Sequence, residues 1–191
     1  MGAAILFLVA VGLIVVGVVI YLIGVYNQLV HIKINIDKSW ANIEVLEKQR
    51  YDEIPKLVKV CEGYMKYESE TLEKIIAART RFLGAKTPAE MASADTNLSG
   101  ALKTLFAVSE RYPDLKANDN FKQLQDRVSY LENQIADRRE YYNDSVAIYN
   151  TRIKQIPDVF IARFLNYQPD EMYDIPDTEK ASPDINFNFP K

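Results

Sequence analysis

Residues 3–26 read AAILFLVAVGLIVVGVVIYLIGVY without one charged side chain, and the first lysine is Lys33. At about 1.5 Å per helical residue, some 20 residues cross the roughly 30 Å hydrocarbon layer, so this run is long enough to span it. Tyr21 and Tyr26 fall at one end, where an interfacial ring sits. A cleaved secretory signal wants a basic flank, a shorter apolar core and a small-residue cleavage site. This stretch offers none of the three, so an uncleaved anchor over residues 1–26 is expected. Lys33, Lys38, Lys48 and Arg50 follow the anchor. The positive-inside rule then puts the short N-terminus outside and the rest of the chain in the cytoplasm.

Such an anchor leaves a water-facing remainder, and its pattern is helical. From Leu29, apolar residues recur at threes and fours through Ile32, Ile36, Trp40, Ile43 and Leu46, then Ile54, Leu57, Val58, Cys61 and Met65, to Leu72, Ile75 and Ile76. Pro55 interrupts this stripe. It either kinks one long helix or stands in the first turn of a new helix capped by Asp52. A turn at 51–54 makes segments 28–50, 55–83, 89–111 and 118–154 comparable in length, and that arithmetic favours the turn. Gly84 and Pro88 punctuate the chain before the next pattern, and Pro157 ends the last one. The fold expected is all-α. An N-terminal transmembrane helix precedes an up-and-down antiparallel helical bundle over 27–166, of three long helices, or four if the chain turns near Pro55. A Pro/Asp-rich extended tail follows over 167–191.

Between the second and third patterns stands RYPDLKANDNF, residues 111–121. Pro113 biases Tyr112 out of helix, Asn118 is a good N-cap, and Asp119 suits the first turn of the next helix. Leu115 can plug the bundle end, bracketed by Tyr112 and Phe121. The stretch reads as a rigid corner, with a partner-binding loop as its rival, in which Asp114 and Asn118 would make contacts. In IPDVFIARFL, residues 156–165, a short helix would be apolar on most faces. Phe160 and Phe164 then either fold onto the bundle or lie at the membrane surface. In the tail, Pro169, Pro176, Pro183 and Pro190 recur every seven residues. That tail is either a disordered acidic segment or a strap anchored on a neighbouring subunit through Met172, Tyr173, Ile175, Phe187 and Phe189.

Composition removes several classes of function. From Pro169 onward six acids face two lysines, which leaves 20 acids and 21 bases elsewhere among the 191 residues. A near-neutral body has no basic excess for phosphate contacts, so nucleic acid is not an expected partner. One Cys and one His rule out an internal disulfide and zinc sites built on several such ligands. No phosphate-binding glycine loop and no Glu-x-x-His pair occurs. Cys61 occupies the apolar stripe, as a structural thiol does. Glu68, Glu70 and Glu73 form an acidic patch that reads as a solvated helix face. No catalytic set, metal or cofactor is expected. A Tyr-Asn dipeptide appears three times, as Tyr26-Asn27, Tyr142-Asn143 and Tyr149-Asn150, the last two one heptad apart. Interhelical hydrogen bonds from those Asn side chains would set helix register.

YNQLV (26–30), SWANIEVLEKQRYDEIPKLV (39–58), GYMKYE (63–68), YPDLKANDNF (112–121) and YNDSVAIYNTRIKQIPDVFIARF (142–164) together resemble the LemA family of bacterial membrane proteins. The likeness runs in order over about 140 residues behind the anchor. The chain departs from the family pattern at Gln49-Arg50, where an Arg pair is usual, at Lys56, where Asn is common, and at Tyr67, where His is frequent. The resemblance implies a single-pass protein of the bacterial cytoplasmic membrane with a helical-bundle domain, and it implies no established activity. Related domains in magnetosome membrane proteins point to membrane organisation. The function expected is a non-catalytic, membrane-anchored scaffold that self-associates, its contacts drawn from Tyr26, Trp40 and the aromatic and Asn residues above. The rival is a monomeric adaptor that binds a partner through residues 111–121 or the tail.

Overall fold

In the computed structural model, which describes residues 1–174, α1 runs from Gly2 to Glu62 as one uninterrupted helix with Pro55 inside it. The turn favoured at 51–54 is not formed. A proline inside a helix costs about 3 kcal/mol, by losing one N–H bond and crowding the preceding turn. Here Ile54, Leu57, Val58 and Cys61 are all buried on the same stripe. Each such side chain returns roughly 1.5–3 kcal/mol, so continuing the helix wins. The carbonyl of Tyr51, whose helical donor Pro55 lacks, accepts instead from Arg79 Nε at 3.5 Å. The Arg79 guanidinium lies 3.9 Å from the centre of the Tyr51 ring.

The helix stops at Gly63, where the N–H groups of Tyr64 and Met65 donate to the Cys61 carbonyl at 3.0 and 2.8 Å. After it come α2 (Ser69–Gly84), α3 (Pro88–Ser109), α4 (Pro113–Ala117), α5 (Asp119–Arg152) and α6 (Asp158–Phe164). Among the described residues there is no strand, and the fold is all-α. The start of α3 is closed by a capping box. Thr87 Oγ1 accepts from Glu90 N at 3.2 Å, Glu90 Oε2 accepts from Thr87 N at 3.2 Å, and Pro88 takes the first helical position.

The chain forms two compact units. Among the described residues, the bundle unit holds Glu44–Asp137 and Met172–Asp174. Its helices are the last part of α1, then α2, α3 and the first part of α5, with α4 closing one end. Ile54, Leu57, Cys61, Ile75, Leu98, Leu102, Leu105, Leu115, Phe121 and Val128 form its core, each at most 1% exposed.

The anchor unit holds Met1–Ile43 and Arg138–Glu171. Every side chain from residue 1 to residue 23 is exposed, and burial begins at Val25 and Leu29. Among the described residues α1 is the one helix long and apolar enough to cross a membrane. Within this unit α1 and α5 run antiparallel. Trp40 faces Tyr142 with ring centres 5.4 Å apart, Lys33 Nζ sits 5.4 Å from the Tyr149 ring, and Arg152 Nη2 donates to Gln28 Oε1 at 2.5 Å.

Candidate functional site

Arg50 is the largest fully buried side chain of the bundle unit, and three helices meet at it. Its Nη2 donates to Glu47 of α1 and to Asp95 of α3, and its Nη1 donates to Glu132 of α5 at 2.6 Å. Ser99 joins the cluster by donating its hydroxyl to Glu132 at 3.0 Å. Burial works to deprotonate the guanidinium, but Glu47, Asp95 and Glu132 outweigh it and push the pKa of Arg50 further up. The side chain is therefore a permanent cation at any working pH. A planar fork with five donors suits three carboxylates from three directions, which a lysine cannot match. Chemically the arrangement holds helices in register. Its one hydroxyl, Ser99, is held between Arg50 and Glu132, and no group of residues suited to a metal ion occurs among the described residues.

This cluster was not singled out from the sequence, although its signal is there. Glu47 and Arg50 interrupt the apolar stripe of α1 between Ile43 and Ile54, and Asp95 does the same in α3 ahead of Leu98. Charged side chains at core positions of an amphipathic helix announce a buried network. Which acid meets which base cannot be read from one helix at a time.

The 111–121 stretch closes on itself inside the bundle unit. Leu115 and Phe121 are core residues, and Asn118 Oδ1 caps α5 by accepting from Phe121 N at 3.0 Å. Glu68 Oε1 accepts from Arg111 Nη2 at 2.9 Å and from the Tyr112 hydroxyl at 3.2 Å. Partial burial and then that hydrogen bond raise the pKa of Tyr112 above the ordinary phenol value. Asn118 Nδ2 donates to the Tyr64 hydroxyl at 3.0 Å, and Asp114 remains exposed. The acidic patch dissolves in the same way. Glu68 turns to the corner, and Glu70 pairs with Lys74 at 2.7 Å.

A second cluster lies in the anchor unit, where the chain beyond α6 returns along α5. Asn150 binds the backbone of Asp170 in both directions, accepting from its N–H and donating to its carbonyl, at 2.9 Å each. The Asp170 carboxylate takes Lys33 Nζ at 2.5 and 2.6 Å, and the Tyr142 hydroxyl donates to the Glu171 carbonyl at 2.9 Å. Tyr167 stands 6.3 Å from Tyr149, ring centre to ring centre. Burial, then Asp170 and Glu171, push the Tyr142 hydroxyl up to about 12, and burial with Asp170 raises Tyr149 as well. The expectation that Asn150 bonds between helices is therefore corrected. The bond goes to returning backbone, whose peptide groups at Asp170 lie outside any helix and so are free to pair with a side-chain amide. The described start of the tail is likewise held by its own chain.

The remaining candidate residues are dispersed. Tyr26 and Asn27 are exposed, Asn143 is half-buried, and Phe160 and Phe164 point outward from α6. Of the two readings of α6, the one that folds its phenylalanines inward fails, because Asp158 and Ala162 occupy the inner face at 5% and 2% exposure. Phe187 and Phe189 lie outside the described residues, as does Ile175.

Cys61 is fully buried, and burial followed by the neighbouring Glu62 pushes its thiol up from near 9.0 to about 12. The thiol is neutral at physiological pH and is no nucleophile. A folded pKa above the unfolded one gives stability that is complete below the unfolded value and lost as pH rises through the folded one. Urea midpoints should therefore fall between about pH 9 and 12, and Cys61→Ala should flatten that fall. An equal slope in both proteins would refute the assignment.

The LemA family profile matches residues 39–187. Protein LemA of Metamycoplasma hominis is 30% identical over 135 residues, which cover 69% of this chain and 60% of that protein. Magnetosome protein MamQ 2 of Paramagnetospirillum magneticum is 32% identical over 80 residues, which cover 42% of this chain and 29% of that protein. MamQ of Magnetospirillum gryphiswaldense is 31% identical over the same length. The chain thus spans less than two thirds of the length of these relatives. With its apolar N-terminal helix and these relatives, the chain is a membrane protein, and it belongs to the LemA family.

Proposed function

We propose that this protein is a single-pass, non-catalytic scaffold of a bacterial cytoplasmic membrane that self-associates and organises the membrane or recruits proteins to it. The observation that carries this reading is a surplus apolar face on the anchor unit. Tyr141 and Ile148, one heptad apart on α5, are 54% and 55% exposed, and Ile34 on α1 is 54% exposed. Two antiparallel helices cannot cover each other on every side, and outward aromatic and aliphatic residues at heptad spacing suit a second copy. The polar clusters support a rigid body rather than chemistry, since their charged groups pair within their own unit. The basic residues after the span favour a cytoplasmic bundle. Relatives that carry the name magnetosome protein support a role in membrane organisation. At the 111–121 corner Arg111, Tyr112 and Asn118 bond within the unit, which disfavours it as a docking loop.

Native mass measurement of the full chain in lipid nanodiscs is expected to give a defined oligomer. Tyr141→Glu with Ile148→Glu should reduce it to monomers while the helical far-UV spectrum is kept. A strict monomer at high protein concentration would overturn the reading.

A further inference from the structure

The segment from Ile153 to Asn166 is the turnaround of the anchor unit, and antiparallel register places it at the end of the membrane span. From Trp40 back to Lys33 is seven residues, and their partners Tyr142 and Tyr149 are also seven apart. Continuing that register brings Arg152 opposite Val30, and its long side chain reaches Gln28 two residues further on. Burial on α1 stops just before this level, since residues 1–23 are wholly exposed. The chain after α6 then retraces α5 in the opposite direction, through Tyr167 at Tyr149, Asp170 at Asn150 and Glu171 at Tyr142. The loop between the two runs, with α6 inside it, is therefore the lowest part of the unit, where the anchor leaves the bilayer.

At that level the chain turns its apolar side chains outward. Ile156, Phe160 and Phe164, each four residues from the next, are 79%, 65% and 87% exposed, and Leu165 beside them is 36% exposed. The opposite face of α6 carries Asp158 and Ala162, both buried. Asp158 is neutralised by Arg152 Nε at 2.5 Å, so no bare acid faces the surface from this helix. Lys154 and Arg163 are exposed and cationic beside the stripe. In water this arrangement is inside out. Against a lipid surface it is an ordinary amphipathic segment, with aromatic rings at the headgroup boundary and cations at the phosphates.

We infer that α6 and its flanks form a foot that rests in the lipid interface, with Ile156, Phe160 and Phe164 inserted among headgroups and upper acyl chains. The occupant of this face is the bilayer that α1 crosses, because the stripe is continuous with the point where the span emerges. The foot gives the anchor unit a second attachment, which restrains it from pivoting about a single helix. This inference rests on the membrane-anchor part of the proposed function and is independent of self-association.

The test uses the full chain in nanodiscs, in a Cys61→Ala background, with a fluorescent thiol label at Phe164→Cys, Phe160→Cys, Val15→Cys or Lys122→Cys. Lipids brominated on the upper acyl chain quench from the bilayer, and iodide quenches from water. Labels at 160 and 164 should lose fluorescence to the brominated lipid and be protected from iodide, whereas the label at 122 should behave in the opposite way. If the label at 15 is in the bilayer but those at 160 and 164 are open to iodide, the foot is refuted and the anchor stands. If 160 and 164 are protected from both quenchers, another protein surface covers α6 and the foot is again refuted. A label at 15 open to iodide overturns both readings.

Discussion

Arg50→Met should destabilise the bundle unit by about 3–5 kcal/mol, the range found when one partner of a buried ion cluster is removed. The side chain is 1% exposed and faces Glu47 at 5%, Asp95 at 3% and Glu132 at 25% exposure. Taking these charges out of water is expensive, and their mutual attraction offsets the cost only while the cation is in place. Methionine matches the volume but leaves three acids facing one another, and like charges in a poorly screened interior must protonate or draw in water. Arg50→Lys should recover part of the loss, since it restores charge without the fork. A triple variant that also replaces Glu47 and Asp95 by leucine should be more stable than Arg50→Met alone, because the residual penalty lies in the acids. Urea unfolding in detergent, followed by far-UV circular dichroism, measures all three. A loss below about 1 kcal/mol for Arg50→Met would show that the cluster does not hold the helices.

Phe121→Ala should cost about 3–5 kcal/mol, as expected for an aromatic ring deleted from a closed core. Phe121 is 1% exposed, and the Asn118 cap fixes its backbone, so the ring has little freedom to be replaced by collapse of the corner. Leu115, fully buried in the same core cluster, would be left beside the cavity. Phe121→Leu keeps most of the volume and should cost less than half as much. Tyr112→Phe removes only the hydroxyl that reaches Glu68 on a partly exposed surface, and should change stability by less than about 1 kcal/mol. Near-equal losses for Phe121→Ala and Tyr112→Phe would mean that the corner is held by surface hydrogen bonds and not by its plug.

The corner was legible in the sequence because its parts are local. Pro113 does not stop α3, which already ends at Ser109, but opens the short α4; Asn118 caps the next helix, and the lone aliphatic residue between them has one direction in which to be buried. The Pro55 region misled for an equally specific reason. Proline's cost is local and visible, but the compensation comes from Ile54, Leu57, Val58 and Cys61 packing in a core assembled with α2, α3 and α5, and from Arg79 on a different helix. Equal segment lengths were a weaker constraint than continuous burial. The Arg50 cluster was half legible, since charges at stripe positions are visible in each helix and their pairing is not.

What the sequence determined by itself is whatever one helix or one turn can express: an N-terminal helix apolar and long enough to cross a membrane, the all-α class, the corner at 111–121 and the end of α5 ahead of Pro157. These follow from hydrophobic period, helix length and backbone restriction, which act within a few residues. Only the tertiary structure decided that α1 continues through Pro55, that Arg50 gathers acids from three helices, that Asn150 holds the backbone of Asp170, and that α6 turns its phenylalanines outward. Each of those depends on which distant group arrives at a given place, and that is settled by the summed packing of the unit and by no single stretch within it.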